Sequence, residues 1–90
     1  MQVIFDEEKR RATLLKRGLD FARAGEVLNG PEFTDQDFRF DYPEPRFQTY
    51  GYLDARLIMF AWTPTDIGIR VISMRKCNDR EQKRFANRLG

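Results

Sequence analysis

Apolar and polar positions change their period several times along this chain, and each change marks an element. Gln2–Phe5 is a short apolar run that stops at Asp6, the length of one strand. From Asp6 to Gly18 the pattern is helical. Asp6 is placed to cap it, Glu7 and Glu8 put negative charge on the first turn, and Lys16 and Arg17 put positive charge on the last. Gly18 is the natural left-handed stop. Ala12, Leu15 and Leu19 form a narrow apolar stripe, with Lys9, Arg10 and Arg11 beside it. Asp20 caps a second short helix reaching Asn29, in which Phe21, Ala24, Val27 and Leu28 recur at helical spacing. Asn29-Gly30-Pro31 ends it.

Residues 30–46 have no period. They hold Pro31, Pro43, Pro45 and five acids, with Phe33, Phe38, Phe40 and Tyr42 threaded between them. Connections this long in a small domain are usually functional or partly mobile, and Phe38–Phe40 is the candidate for a short edge strand. From Arg46 the period becomes two. Phe47, Thr49 and Gly51 alternate with Gln48, Tyr50 and Tyr52, and Leu53-Asp54-Ala55 reads as a tight turn. Arg56–Thr63 follows, then a turn at Pro64-Thr65-Asp66, then a third strand at Ile67–Arg75. Strands joined this closely form an antiparallel meander, with Phe60 and Trp62 in its core. Asn78–Leu89 is helical but mostly polar. Asn78 and Glu81 have the spacing of a capping box, Phe85, Ala86 and Leu89 are the apolar anchors, and Arg80, Lys83, Arg84 and Arg88 face solvent. So few anchors suggest a helix loosely held, or one that packs on something outside the chain. The whole predicts one small α+β domain over residues 1–90: an N-terminal strand, two helices, a three-stranded antiparallel meander and a C-terminal helix.

Composition removes several chemistries. The 90 residues include one Cys and no His, which excludes internal disulfides, zinc sites, Cys–His nucleophiles and Ser–His pairs. The acids of 30–46 lack the spacing of a calcium loop, so no metal and no cofactor is expected. No apolar run approaches the ~18 residues that span a membrane, and the N-terminus lacks the features of a signal peptide. A cytoplasmic protein is the expectation.

The net charge of +2 is unevenly spread. Residues 1–19 carry +2, residues 20–66 carry −5 and residues 67–90 carry +5. A basic end offers a site for a polyanion such as RNA, and an acidic middle one for a basic protein partner. The densest candidate chemistry is Arg70-Val-Ile-Ser-Met-Arg75-Lys76-Cys77-Asn78-Asp79-Arg80-Glu81. Strict strand alternation sends Arg75 to the face of Ser73 and Val71, and Arg70 to that of Ile72 and Met74. An Arg at a strand end, basic side chains in the linker and a carboxylate in a helix's first turn can hold a phosphate and take a proton. On the residues alone, the reading they favour is a structural ion pair plus capping box. Cys77 reads as a small packing residue. Ser73 has no base to activate it, and Tyr50 and Tyr52, sharing a face, read as cross-strand packing.

Three stretches taken in order resemble the BrnT family of toxins: Phe5-Asp6-Glu7-Glu8-Lys9-Arg10, Leu15-Lys16-Arg17-Gly18-Leu19-Asp20-Phe21, and Arg70 to Cys77 followed by Arg80-Glu81 and Phe85. The resemblance implies a RelE-like α+β fold and metal-independent cleavage of RNA. It also implies capture by a BrnA-like antitoxin carrying a ribbon-helix-helix domain, the complex repressing its own promoter. On that reading the basic N- and C-terminal segments converge on one side of the sheet. Arg75 and Arg70 stabilise the charge on phosphorus, Glu81 takes the 2′-hydroxyl proton, and Arg80 and Lys76 add positive charge. Lys9, Arg10, Lys16, Arg17 and Lys76 hold the RNA backbone. The family usually reads Lys-His-Gly where this chain has Lys16-Arg17-Gly18, and Arg, which stays protonated, is a poor proton shuttle. The alternative is therefore a weak or inactive toxin homologue that serves as an antitoxin-binding co-repressor.

Overall fold

A computed structural model describes residues 1–89. In chain order it runs β1 (Gln2–Ile4), α1 (Glu7–Arg17), a 3₁₀ turn at Phe21–Arg23 leading into α2 (Ala24–Leu28), β2 (Glu32–Gln36), β3 (Phe47–Leu53), β4 (Arg56–Pro64), β5 (Gly68–Lys76) and α3 (Asp79–Ala86). The strands form one sheet in the order β1-β5-β4-β3-β2. β1 lies parallel to β5 and all other pairs are antiparallel.

The expected meander is present as β3–β5, but the sheet is larger on both sides. Within the segment read as a loop, Glu32–Gln36 pairs with Phe47–Gly51 as a fourth antiparallel strand. Phe38–Phe40, the expected edge strand, is irregular. The strand was hidden because β2 is an edge: exposed Glu32, Thr34 and Asp35 leave Phe33 as its one large apolar side chain. The β3–β4 turn is tighter than expected, closing on Asp54 and Ala55, both with φ positive (51° and 64°).

Two cores flank the sheet. One face carries Ile58, Phe60, Val71 and Met74 beneath Phe21, Ala24 and Val27 of the helical turns, with Trp62 packed at its margin. The other carries Leu57 and Met59 beneath Phe85 and Leu89. α1 starts as its caps dictate, Asp6 Oδ1 accepting from the Lys9 amide at 3.1 Å, and ends at Gly18 with φ 70°. Its apolar stripe, however, is not buried. Leu15 is 88% exposed and Ala12 is exposed, and only Leu19, past the helix end, enters the core. α1 is tied down instead by Arg10, whose Nε donates to Asp20 at 2.9 Å and whose Nη1 donates to Glu7 at 2.8 Å. α3 reverses the opposite expectation: short and polar, it is nevertheless anchored by a fully buried Phe85 stacked on Tyr50 at 4.3 Å between ring centroids. Ala86, read as an anchor, is exposed.

A β-bulge in β5 decides which of its side chains share a face. Ala61 pairs with Ser73, but the next β4 residue, Trp62, pairs with Val71, so Ile72 is the extra residue. Strict alternation therefore fails across it. Val71 and Met74 share the face of Phe60, whereas Arg70, Ser73 and Arg75 share the α3 face. The expected separation of Arg70 from Arg75 onto opposite faces is thus corrected by one inserted residue.

Candidate functional site

The α3 face carries a row of side chains running from β2 to β5, Phe33–Tyr50–Met59–Arg75, each paired with the next across the strands. Phe85 covers Phe33 and Tyr50, so Arg75 is the polar end of an otherwise apolar row. Its guanidinium reaches the first turn of α3 and grips Glu81 with both arms, Nη1 to Oε1 at 2.7 Å and Nη2 to Oε2 at 2.8 Å. Asn78 and Glu81 close the expected capping box: Asn78 Oδ1 accepts from the Glu81 amide at 2.9 Å, and Glu81 Oε1 accepts from the Asn78 amide at 3.0 Å. The hydrogen bonds from Arg75 outweigh burial and hold the Glu81 carboxyl down to about 2. At neutral pH Glu81 is an ionised carboxylate whose oxygens are occupied.

Two more arginines meet the same junction. Arg17 Nη1 donates to the Met74 carbonyl at 2.8 Å, and Arg56 Nη2 donates to the Cys77 carbonyl at 2.8 Å. Arg17 has room to do so because β1 covers β5 only as far as Arg70, leaving the outer edge of residues 71–76 without a strand. Arg17, Arg56 and Arg75 therefore ring residues 74–77, each spending donors on the protein and each more than a third exposed at its side chain or exposed overall. Arg56 was not singled out from sequence, where it reads only as the first residue of a strand; its place after a tight hairpin turn, opposite the strand–helix linker, was the available sign.

The remaining expected residues divide by face. Lys9, Lys16 and Arg17 line a cleft of about 240 Å³ between α1 and β5, floored by Ala12, Phe21 and Ile72 with Thr13 and Ser73 at its sides. Arg70 and Arg80 are exposed on the α3 side, and Lys76 is exposed at the end of β5. Arg10 is already bonded to Asp20 and Glu7. The basic N- and C-terminal segments thus do not converge on one side of the sheet: α1 packs against one face and α3 against the other, and the two sets meet only around the free edge of β5, through Arg17.

Other nucleophiles are quiet. Cys77 is 1% exposed, and burial pushes its thiol up to about 11. Burial also raises the Tyr50 hydroxyl. Among the described residues, no three His, Cys, Asp or Glu side chains are grouped as a metal centre requires, and no helix is long and apolar enough to cross a membrane.

A comparison with curated proteins returns no match. A family match spans residues 5–81, from the end of the first strand to the junction carboxylate, and the family is described as the ribonuclease toxin, BrnT, of a type II toxin–antitoxin system. The matched span takes in the α1 cleft, the arginine-ringed junction and Glu81 itself, and by it the chain belongs to the BrnT family of ribonuclease toxins.

Proposed function

We propose that this protein is a cytoplasmic endoribonuclease toxin that cuts RNA at the β5–α3 junction without a metal, and that a BrnA-like antitoxin with a ribbon-helix-helix domain neutralises it. The toxin–antitoxin complex then represses its own promoter. The observation that carries the cleavage site is the set of Arg17, Arg56 and Arg75 bonded around residues 74–77, next to Glu81, which Arg75 holds by a fork.

In this mechanism a phosphodiester competes with Glu81 for the arms of Arg75, a bidentate exchange that guanidinium geometry favours. Arg75 and Arg70, which the bulge puts on one face, share the charge of the pentacoordinate phosphorus, and Arg80 adds to the field. Glu81, released from Arg75, accepts the proton of the RNA's own 2′-hydroxyl as that oxygen attacks phosphorus. The bond to the 5′-oxygen breaks, that oxygen takes a proton from water, and a 2′,3′-cyclic phosphate remains. Lys9, Lys16, Arg17 and Lys76 hold the flanking phosphates along the free edge of β5. Arg10, bound to Asp20, contributes by fixing α1.

One observation favours a second reading. Glu81 sits far below the range of an efficient base, and Arg17, standing where the family's His is usual, is tied to a backbone carbonyl. A slow enzyme or an inactive co-repressor follows if Arg75 never releases Glu81. Incubation with end-labelled RNA in EDTA separates the readings. Cleavage to 2′,3′-cyclic ends, lost in Glu81→Gln and Arg75→Ala, supports the nuclease. RNA left intact by folded protein both in EDTA and in a parallel magnesium reaction supports the co-repressor, and products with 3′-hydroxyl ends formed only with magnesium would overturn the mechanism.

A further inference from the structure

Far from the junction, residues 37–46 connect β2 to β3 and are not slack. Asp37, whose side chain is 2% exposed, accepts from the Arg39 amide at 3.0 Å, from Arg39 Nε and Nη2 at 2.9 Å each, and from the Tyr42 hydroxyl at 2.9 Å. Arg46 lies on the Tyr42 ring at 4.1 Å, the Asp37 amide donates to the Arg46 carbonyl at 2.7 Å, and Thr63 Oγ1 donates to the Pro45 carbonyl at 2.6 Å. A loop fixed by so many bonds nevertheless holds Phe38 78% and Phe40 67% exposed. Beside them is a cavity of about 270 Å³ lined by Phe38, Phe40 and Tyr42, by Asp41 and Glu44, and by Arg46 where it stacks on Tyr42. Two phenylalanines fixed in water by their own loop form a patch of the kind that marks a partner surface.

The charge chooses the partner. Among the described residues Glu32, Asp35, Asp41 and Glu44 form no ion pair, Arg39 is bonded to Asp37, and Arg46 is the segment's remaining cation. A surface with that balance repels RNA phosphates and attracts a basic polypeptide. We propose that this loop is the docking surface for a basic segment of the antitoxin, with apolar side chains on Phe38 and Phe40 and cationic side chains against the unpaired carboxylates of Asp41 and Glu44. The inference rests on the reading that an antitoxin neutralises this toxin, and adds where it binds. The grip lies on the segment that follows edge strand β2, away from the arginine ring on β5, so the partner holds the toxin by a surface the RNA does not use.

The test is calorimetry of the purified protein against a BrnA-like antitoxin recovered from a coexpressed pair. Phe38→Ser with Phe40→Ser is expected to weaken binding by about 100-fold, as for anchor residues at an interface centre. Asp41→Lys with Glu44→Lys is expected to weaken it by about tenfold and to flatten its dependence on salt. Both double variants should keep wild-type RNA cleavage and wild-type unfolding midpoints, since these side chains are exposed. Wild-type antitoxin affinity in both would overturn the docking site while leaving the toxin reading intact. No binding by the wild type would overturn that reading and the site together. If the phenylalanine variant instead dissolves a dimer of the toxin alone, the patch belongs to a second copy of this chain; if it lowers RNA affinity, the patch belongs to RNA. Either result overturns the proposal.

Discussion

Asp37 receives two arms of Arg39 at 2.9 Å each, and Glu81 receives two arms of Arg75 at 2.7 and 2.8 Å. In both cases the arginine hydrogen bonds are the largest influence on the carboxyl and hold it well below the ordinary range. The surroundings differ. Every side-chain donor to Asp37 comes from within five residues, so the pair closes a loop on itself and Arg39 has no other cation bonded beside it. Arg75 reaches six residues forward across a strand–helix junction that Arg17 and Arg56 also hold. The Glu81 carboxylate also feels the charge of Arg84 on its own helix, whereas Arg39 is the one cation acting on Asp37. The proposed mechanism asks the Glu81 fork to open to a phosphate and the Asp37 fork to stay closed, so the two differ in neighbours rather than in the pair.

The largest effect tests whether the junction stands on α3 at all. Phe85→Ala removes the ring that joins α3 to Tyr50 and Phe33, and should cost about 3–5 kcal/mol in urea unfolding. A cost near that of an exposed residue would mean α3 is held by the Arg75–Glu81 fork alone. The comparison is drawn directly by removing each arginine. Arg75→Ala should lower RNA cleavage by about 10²–10³-fold, the size found on losing one preorganised donor to a developing oxyanion. Arg39→Ala should leave cleavage unchanged and instead loosen residues 37–46, read as faster amide exchange there. Equal effects of the two on cleavage would erase the distinction.

The pH profile is smaller and bears on both pairs. Glu81 falls from its ordinary 4.5 to about 2 on folding, so its fork contributes stability that is complete above 4.5 and lost as pH drops through about 2. Asp37 is also depressed, and its contribution is likewise lost in acid. Unfolding free energy should therefore decline from about pH 4.5 downward, and Glu81→Gln should flatten that slope between 4.5 and about 2. An unchanged slope would mean that Asp37 and other acids carry the acid sensitivity and that Glu81 is already released from Arg75 in solution.

Much of this molecule was legible in local signals and little of it in long-range ones. Asp6, Gly18, Asn78 and Glu81 act at their own helix ends, so sequence spacing is enough to place them. The meander followed from period two and short turns. The sequence hides β2 because its support is backbone pairing to β3, which a polar edge strand does not advertise. The face of Arg70 was missed because one bulged residue, Ile72, reverses alternation without any glycine or proline to mark it. Arg56 escaped because its partner, the Cys77 carbonyl, is 21 residues away. Residue types alone favour an ion pair plus capping box for Arg75 and Glu81, and the bidentate fork that holds the Glu81 carboxyl low is a matter of geometry that spacing does not carry.

Leu15 gives the smallest prediction and the sharpest check on how α1 is held. Helical periodicity assigns it to the core side of the helix, yet it is 88% exposed, and α1 is fixed by Arg10 to Asp20. Leu15→Ser should then change stability by less than about 0.5 kcal/mol, as for surface positions without special contacts. Arg10→Ala should cost more, because it strips Asp20 of its guanidinium while Asp20 still caps the following turn through the Ala22 amide. If Leu15→Ser proves the costlier of the two in urea unfolding, α1 is packed by its apolar stripe after all. The cleft of Lys9, Lys16 and Arg17 beside β5 would then be narrower in solution than about 240 Å³.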